Sequence, residues 1–421
     1  MNIRLRTVLA LFAFLPLAIT TPADWPQFRG PGSLGVSSDT GLPAKWDATT
    51  NIKWKVALPG PGSSNPITFG DKIYVTCYSG YGIDPKNPGD QNNLMLHLVC
   101  LNRADGKTVW DKSFKANTPV QNFQRFVMLH GYASSTPAAD ADGIYCFFGR
   151  TGASAWSHDG KQLWTKSLGS KSHIFGTANS PVLFKDLVIF NASVEGAGLI
   201  ALNKKTGDEV WRKGGMKMSW NTPALVDVNN GHELVVNTKG WLKAYDPQSG
   251  KPLWQSGGIN DYICPSVISN GGVVYAIGGR KNTCLAIKAG GKGNVTSTNK
   301  LWELLKGSNV SSPVFHEGHL YWTHDGRGIT YCVNAKTGEL VFEQRLQPKP
   351  DRFYASPTVA DGKIYFTSRL SGTYVIAAKP NFQLLSHNRI ANDRSIFNAS
   401  PVISNSQILL RSNKFLYCIG K

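Results

Sequence analysis

The 421-residue sequence predicts an all-β fold, an eight-bladed β-propeller of four-stranded antiparallel blades. Three observations predict this fold. A hairpin pattern opened by a small residue and proline recurs eight times. A second pair of strands follows most copies and ends on tryptophan. Finally, the two ends of the chain complete one repeat between them. A fixed repeat of about 20 to 50 residues is the signature of a repeat architecture.

The first half of each repeat is a short hairpin. In the clearest copy, Ser356-Pro357 opens an alternating apolar run, Asp361-Gly362 forms the turn, and a second run ends at Phe366. An Asp-Gly turn between such runs is the strongest short-range hairpin signal. After a first interval of 71 residues, the prolines recur every 42 to 48 residues. The opening pairs are Asn65-Pro66, Thr136-Pro137, Ser180-Pro181, Thr222-Pro223, Cys264-Pro265, Ser312-Pro313, Ser356-Pro357 and Ser400-Pro401.

The second half of each repeat is an apolar strand, a polar glycine turn and a strand that ends on an aromatic residue. The copies from Leu199 to Trp211 and from Trp241 to Trp254 are the clearest. A large flat ring buries apolar area between neighbouring sheets while its N–H reaches a partner. We therefore predict a blade-docking role, and not a stacking platform for bases, for Trp54, Trp110, Trp164, Trp211, Trp254 and Trp302. In later copies Phe342 replaces the tryptophan, and residues 374–386 carry no aromatic residue at that place.

The ends of the chain predict a closed ring. The last repeat stops after the run from Lys414 to Ile419 and lacks its tryptophan strand. An orphan strand of that type, Ile52 to Leu58, precedes the first hairpin. Together they complete an eighth blade, and ring closure protects the strand edges that an open sheet exposes.

The N-terminus predicts export. Arg4 and Arg6 precede an apolar run from Val8 to Ala18, and Thr21-Pro22-Ala23 offers small residues for cleavage before Asp24. These features are typical of a signal peptide. We expect a signal peptide at residues 1–23, a propeller domain at residues 24–421, and a periplasmic or extracellular location. Because the first cysteine is Cys77, we do not expect a lipoprotein.

The net charge limits the classes of partner to be expected, and the cysteine pattern bears on disulfide bonding. Lysine and arginine exceed aspartate and glutamate by 18, and the basic residues are scattered. Such a charge is that of an ordinary basic, solvated surface, or of a surface attracted to anionic polymers or to an envelope protein. A nucleic-acid partner is disfavoured, because no basic stripe or nucleic-acid module is present. We expect a mature chain with no transmembrane segment, no nucleic-acid partner and a monomeric state. The seven cysteines resemble buried apolar residues, and pairing of Cys77 with Cys100 stays open.

The loops before the hairpins predict a binding site at one mouth of the channel. They are rich in aromatic, amide and histidine side chains, which suit a sugar, a quinone or a peptide segment. The alternative is that they pack on one another and close the channel. The candidate ligand-binding residues are His130, Tyr132, His173, Asn179, Trp220, Asn221, Tyr262, Arg352, Tyr354 and Asn398. His130 and His173 could act as acid or base groups, but the sequence has no HExxH, GxSxG or Walker A motif and identifies no catalytic residue.

The repeat motif also carries a resemblance. The run from Leu199 to Trp211, Leu-Ile-Ala-Leu-Asn-Lys-Lys-Thr-Gly-Asp-Glu-Val-Trp, resembles the pyrroloquinoline-quinone (PQQ)-like repeat of BamB and of quinoprotein alcohol dehydrogenases. The resemblance covers residues 24–421, and Asp24 to Gly30 looks like the start of secreted PQQ-like propellers. It implies either a binding or scaffold propeller, or a PQQ-dependent oxidoreductase with calcium.

Departures from the quinoprotein pattern favour the binding role. The chain has no adjacent cysteine pair, which many quinoprotein dehydrogenases place beside the cofactor. Their calcium ligands are a Glu, Asn and Asp set, for which Glu195 is a weak candidate, and no matching Asn and Asp are identified. We expect Glu195 to be a solvated loop carboxylate, no metal site, and no firmly implied cofactor; PQQ with calcium belongs to the alternative alone.

Overall fold

Eight sheets, each with four antiparallel strands, surround a central channel in the computed structural model, which describes residues 24–229 and 231–421. This architecture confirms the predicted eight-bladed β-propeller. The predicted signal peptide, residues 1–23, lies outside the described residues. Within each blade we label the strands A to D, from the innermost strand to the outermost.

The strand bounds follow the repeat in chain order. Blades one to four contain Ile67–Phe69, Lys72–Ser79, Met95–Asn102 and Thr108–Lys115; Ala138–Asp140, Gly143–Phe147, Ala153–Trp156 and Gln162–Lys166; Val182–Phe184, Leu187–Ala192, Gly198–Asn203 and Glu209–Gly214; Ala224–Val228, Gly231–Thr238, Trp241–Tyr245 and Pro252–Gly257. Blades five to eight contain Ile268–Asn270, Val273–Gly278, Thr283–Lys288 and Lys300–Leu304; Val314–His316, His319–Thr323, Ile329–Asn334 and Leu340–Arg345; Thr358–Ala360, Lys363–Thr367, Thr373–Ala377 and Leu384–Asn388; Val402–Ser404, Gln407–Arg411, Phe415–Ile419 and Ile52–Ala57.

Few other elements accompany the blades. A two-residue strand, Gly293–Asn294, adds a fifth, parallel strand to blade four. The short α-helix Thr296–Asn299 follows it. The 3₁₀ turns are Pro31–Ser33, Gln91–Asn93, Val127–Leu129 and Gly149–Thr151.

The Asp-Gly hairpin of blade seven forms as predicted. Ala360 pairs with Lys363, so the loop has two residues. Asp361 and Gly362 have φ angles of 52° and 66°. Two successive positive φ angles are those of a type I′ turn, whose twist matches that of the flanking strands.

The fifth copy of the hairpin motif differs from the prediction. In the other blades strand A begins two residues after the small polar residue, as Ile67 follows Asn65. In blade five strand A begins at Ile268, so the equivalent residue is Ser266. The assignment of Cys264-Pro265 as that copy is wrong by two residues. The hydrogen bond that the Thr222 backbone N–H donates to Ser266 Oγ at 2.9 Å, and not the proline, defines the register.

The tryptophans dock neighbouring blades as predicted. Trp164 Nε1 donates to the backbone oxygen of Lys204 in the next blade at 2.8 Å. A Cβ atom on Gly207 would lie 2.7 Å from the Trp164 ring, so glycine permits this close approach. The same pairing of ring and glycine recurs at Trp54 and Gly106, Trp110 and Gly160, Trp211 and Gly250, and Trp302 and Gly338. Trp254 differs, because its Nε1 donates to the Glu233 carboxylate at 2.6 Å.

The docking tryptophan of blade seven comes from the N-terminal region of the chain. Ser386 occupies the register position that tryptophan holds elsewhere, opposite Val375 and beside the strand bulge. Trp46 is 4% exposed, and its ring centroid lies 6.2 Å from that of Tyr365. The corresponding distance in blade five, between Tyr275 and Trp302, is 6.1 Å. Trp46 therefore supplies the docking ring that this blade lacks.

The N-terminal strand closes the ring as predicted. Ile52–Ala57 pairs antiparallel with Phe415–Ile419, and Trp54 lies opposite Cys418. All seven cysteines are free thiols, so the open possibility of a bond between Cys77 and Cys100 is not realised. No helix among the described residues is long and apolar enough to span a membrane.

Candidate binding site in the central channel

A closed ring of hydrogen bonds holds the eight innermost strands around the channel. The backbone N–H of Asn65 donates to Thr136 Oγ1 at 2.9 Å, and each following member donates in the same way to the next blade. The last member, Ser400, donates to Asn65 Oδ1 at 3.0 Å. We call these residues the inner ring: Asn65, Thr136, Ser180, Thr222, Ser266, Ser312, Ser356 and Ser400.

The inner ring explains the residue type that recurs before proline. A buried backbone N–H must find an acceptor, and at this place the acceptor comes from the side chain of the next blade. Ser, Thr and Asn are short and carry a side-chain oxygen. The sequence showed the recurrence of these residues but gave no sign that they bond to one another.

The N-terminal residues close one mouth of the channel. The Trp25 backbone oxygen accepts the N–H of Thr68 in blade one at 3.0 Å, and the Pro26 oxygen accepts that of Ala139 in blade two at 2.8 Å. Val36 forms a parallel bridge with Val359 in blade seven. Residues 24–37, which we call the plug, therefore cross the channel from one side to the other.

Arg29 anchors the plug to the opposite side. It is 1% exposed, and its guanidinium donates to the Pro313 oxygen at 2.6 Å and to the Leu34 oxygen at 2.9 Å. Burial lowers the pKa of Arg29 to about 9. Phe28, from the same segment, lines the floor of a cavity inside the channel. One mouth of the channel is thus closed by a packed segment.

The other mouth opens into a cavity of about 340 Å³. Seven members of the inner ring line it; Ser180 does not. Six predicted site residues meet in this cavity: His130, Trp220, Tyr262, Arg352, Tyr354 and Asn398. Phe126, Phe175, Asn309 and Asp325 join them and were absent from the predicted set. Asp325 follows strand B of blade six, and such B–C loops lie at the same end of the channel as the loops before strand A.

An aromatic cluster forms one wall of the cavity. The Phe175 ring centroid lies 4.5 Å from that of Phe126, 5.1 Å from Trp220 and 5.2 Å from Tyr262. Such tilted and edge-to-face contacts are favourable arrangements of aromatic rings. Because these rings come from separate loops, the cluster fixes the loops relative to one another.

A polar wall completes the cavity. Asn309 donates from Nδ2 to the Tyr262 hydroxyl at 2.7 Å and from its backbone to Asp325 at 3.2 Å. Asn398 Nδ2 donates to the Leu129 oxygen at 2.6 Å, and Arg369 donates to the same oxygen at 3.2 Å. The loop that contains Leu129, between blades one and two, therefore extends over the mouth to blades seven and eight.

His130 is held as a neutral structural residue. Its Nε2 lies 2.7 Å from the Phe175 carbonyl, which only accepts, so the proton is on Nε2. Its Nδ1 then accepts from the Ser134 hydroxyl at 2.5 Å. Burial lowers the pKa of His130. Both ring nitrogens are engaged, and the imidazole positions two loops instead of offering a proton to a ligand.

Four predicted residues lie outside the central cavity. Tyr132 and His173 line a side pocket of about 60 Å³ near blades two and three. Tyr132 donates to the Gln121 oxygen at 2.7 Å. Asn179 is fully buried, and Asn221 is buried with its Nδ2 donating to the Asn237 oxygen at 2.6 Å. The sequence placed these residues in the right loops but did not indicate the direction of each side chain.

The expectation of a solvated Glu195 is wrong. Its side chain lies in the wall of the side pocket, and the residue is 2% exposed. Oε1 accepts the Thr177 hydroxyl, and Oε2 has no partner among the described residues. Burial raises the pKa of Glu195 to about 7, against the opposing effect of the Thr177 hydrogen bond.

The cavity does not fit PQQ with calcium. Calcium takes about six to eight oxygen ligands, with carboxylates prominent among them. Among the described residues, Asp325 is the one carboxylate that lines the central cavity. No group of three or more His, Cys, Asp or Glu side chains in that part of the chain is placed to hold a metal ion.

The fold and the channel define a PQQ-like β-propeller. The family model described as "Outer membrane protein assembly factor BamB" matches residues 95–309 and 293–382, which together are more than half of the chain. The chain therefore belongs to this family. A sequence comparison with curated proteins finds no match.

Solved structures share the fold at low sequence identity. BamB from Moraxella catarrhalis is 12% identical with a TM-score of 0.60, over 87% of this chain and 96% of that one. A europium-containing methanol dehydrogenase is 13% identical with a TM-score of 0.62, over 94% and 89%. The quinohemoprotein alcohol dehydrogenase ADHIIG from Pseudomonas putida HK5 is 10% identical with a TM-score of 0.59, over 94% and 80%. BamB and two dehydrogenases thus share one architecture, so function must be argued from the site.

Proposed function

We propose that this protein is an exported binding or scaffold propeller that holds a ligand or partner segment in the cavity at its open mouth. The observation that carries the proposal is the asymmetry of the channel. The plug fills one mouth, whereas the other mouth leads to a cavity of about 340 Å³ with an aromatic wall and a polar wall. Cavities of about 300 to 1,000 Å³ with this mixed lining are typical ligand sites.

Location and partner class follow from the charge and the predicted leader. The formal net charge of +18 favours anionic polymers or acidic protein surfaces of the cell envelope. Membership of the BamB family supports a role in the envelope. An oxidoreductase is the weaker candidate because the carboxylates of the cavity do not fit a calcium site.

The first test is capture of the partner. Arg352 lies exposed at the cavity, and its side chain makes no hydrogen bond among the described residues, so Arg352→Glu should fold normally. Arg345→Glu makes the same charge change on the outermost strand of blade six. We expect the Arg352→Glu protein to lose a component of envelope extract that wild-type and Arg345→Glu proteins both retain. Identical capture by all three proteins would remove the open mouth from the proposal.

The second test separates binding from redox chemistry. The mature protein is mixed with PQQ and Ca²⁺, and the absorbance of bound quinone and dye-linked alcohol oxidation are measured. We expect neither signal. Stoichiometric quinone binding together with alcohol oxidation would establish the oxidoreductase and overturn the scaffold role.

A further inference from the structure

The inner ring offers hydrogen-bond donors to the cavity floor. Each ring hydroxyl accepts a backbone N–H through its oxygen, as Ser356 does from Ser312 at 3.0 Å. A hydroxyl also carries one O–H donor, and within residues 24–229 and 231–421 none of the ring hydroxyls donates to a protein acceptor. Six of these hydroxyl residues line the cavity: Thr136, Thr222, Ser266, Ser312, Ser356 and Ser400.

Asn65 adds a further donor at the same level. Its Oδ1 is used by the Ser400 N–H at 3.0 Å. Its Nδ2 is buried without a partner in the described chain, and the residue is 2% exposed. A buried amide donor without an acceptor is costly, so a ligand acceptor at the floor would satisfy it.

Converging donors call for an oxygen-rich acceptor. A carboxylate accepts at two oxygens, with about four lone-pair sites, and forms charge-assisted hydrogen bonds that are stronger than neutral ones. The charged residues that line the cavity are Asp325 and Arg352, whose charges oppose each other. One negative and one positive charge sum to zero, so the wall carries no excess negative charge to repel an anion.

The walls above the floor present acceptors and flat rings. Asn309 Oδ1 and Asn398 Oδ1 are buried without a hydrogen-bond donor in the described structure. They lie in the same cavity as Phe175, Trp220 and Tyr262. A ligand that matches all three surfaces has a carboxylate at one end, hydroxyl donors along its edge and one apolar face.

We propose that the cavity binds an acidic sugar, with the carboxylate of a uronic acid unit on the inner ring. The hydroxyl groups of the sugar donate to Asn309 Oδ1 and Asn398 Oδ1, and its apolar face lies on the aromatic wall. This inference rests on the proposed binding function and names its ligand class. An anionic polysaccharide that ends in a uronic acid would present this unit to the mouth.

Binding of simple probes tests the proposal. Glucuronate, glucose and phenylacetate are titrated into the full mature protein by calorimetry and by ligand-observed NMR. We expect glucuronate to bind at least about tenfold more tightly than glucose, since hydrogen bonds to a charged group contribute more than neutral ones. Phenylacetate, which lacks the hydroxyl donors, should bind more weakly than glucuronate. Equal affinity for glucuronate and glucose, or tighter binding of phenylacetate, overturns the assignment.

The inner ring supplies its own matched control. Ser356→Ala removes a donor that lines the cavity, whereas Ser180→Ala removes a ring member that does not. Each substitution also removes one acceptor for a backbone N–H, so both should lower the melting temperature alike. We expect a loss of about tenfold in glucuronate affinity for Ser356→Ala alone. Ser312→Ala, a second lining position, gives the same readout if Ser356→Ala does not fold.

The outcomes separate this inference from the proposed function. Equal glucuronate affinity for the Ser180→Ala and Ser356→Ala proteins, or no binding of glucuronate at all, overturns the acidic-sugar assignment. If Arg352→Glu still loses its envelope partner in that case, the binding function stands with another ligand. If glucuronate binds as expected but partner capture is unaffected by Arg352→Glu, the partner surface is wrong and the sugar site stands.

Discussion

The two mouths of the channel are built in opposite ways. At the closed mouth one continuous segment, the plug, buries Trp25 and Arg29 to 1% exposure each. At the open mouth, side chains from separate loops meet around a cavity, and Arg352 remains exposed. The closed mouth therefore contributes to folding stability, whereas an exposed residue at the open mouth such as Arg352 contributes little to it. Substitutions in the two regions should therefore differ in their effect on stability.

Trp25→Ala should be the most damaging of these changes. Trp25 packs against Gly30, and its backbone N–H donates to Thr68 Oγ1 at 2.8 Å. Removing a buried large aromatic side chain costs about 3 to 5 kcal/mol. We expect a strongly lowered urea midpoint. A midpoint within experimental error of wild type would show that the plug does not stabilise the ring.

Glu195→Gln should stabilise the protein at high pH and not at low pH. The pKa of Glu195 is raised from 4.5 to about 7 by burial. As the pH rises, Glu195 therefore loses its proton in the unfolded chain before it does so in the folded chain. The stability contributed by protonated Glu195 is fully present below pH 4.5 and is lost as the pH rises through 7. Removing the ionisable group should raise stability by about 3 kcal/mol at pH 8.

Thermal unfolding at pH 4.5 and pH 8 measures the effect of Glu195→Gln. Asp227→Asn serves as the control, because Asp227 is an exposed carboxyl on strand A of blade four. An equal shift of the melting temperature for both variants at pH 8 would falsify the assignment to a buried carboxyl.

Comparison of two glycine substitutions in the N-terminal region separates the effect of side-chain packing from that of backbone strain. Gly30 and Gly41 have positive φ angles of 69° and 74°, so alanine is strained at both places. A Cβ atom on Gly30 would lie 2.5 Å from the Trp25 ring, whereas nothing lies within 4 Å of one on Gly41. We expect about 1 to 2 kcal/mol of destabilisation for Gly41→Ala from strain, and a clearly larger loss for Gly30→Ala. Equal urea midpoints would mean that the plug adjusts freely.

Arg352→Ala should have the smallest effect on stability. Its side chain is exposed and makes no hydrogen bond in the described structure. Exposed substitutions of this kind usually change stability by less than about 0.5 kcal/mol. A melting temperature close to wild type, with weaker partner capture, would sharpen the division between the two mouths. A large loss of stability would contradict it.

The repeated part of the fold could be predicted because the same sequence motif recurs eight times along the chain. Alternation, the Asp-Gly turn at Asp361 and the tryptophan positions each follow local rules. The prediction was wrong where a contact with a distant part of the chain, and not the local motif, fixes the position of a residue. Ser266 keeps the inner-ring register although Cys264-Pro265 carries the motif, because the hydrogen bonds to Thr222 and Ser312 fix its place.

The unrepeated part could be predicted less well. Trp46 is far in sequence from blade seven, so nothing local indicated that it replaces the ring missing at Ser386. Glu195 is a charged loop residue, a type that is almost never buried, and only the packed side pocket shows that it is. Asp325 was missed because the B–C loops were not considered as part of the mouth.

The pairing of Ile52–Ala57 with Phe415–Ile419 has a consequence for the order of events in folding. The first strand, Ile52–Ala57, can pair only after the last strand, Phe415–Ile419, has been synthesised, and almost the whole chain separates the two. Contacts between such distant segments are slow to form, because closing a long loop costs entropy before the contact rewards it. The plug and Trp46 also depend on late partners, Pro313, Val359 and Tyr365. The ring therefore closes only when its final strand pairs, and until then Ile52–Ala57 lacks its partner strand.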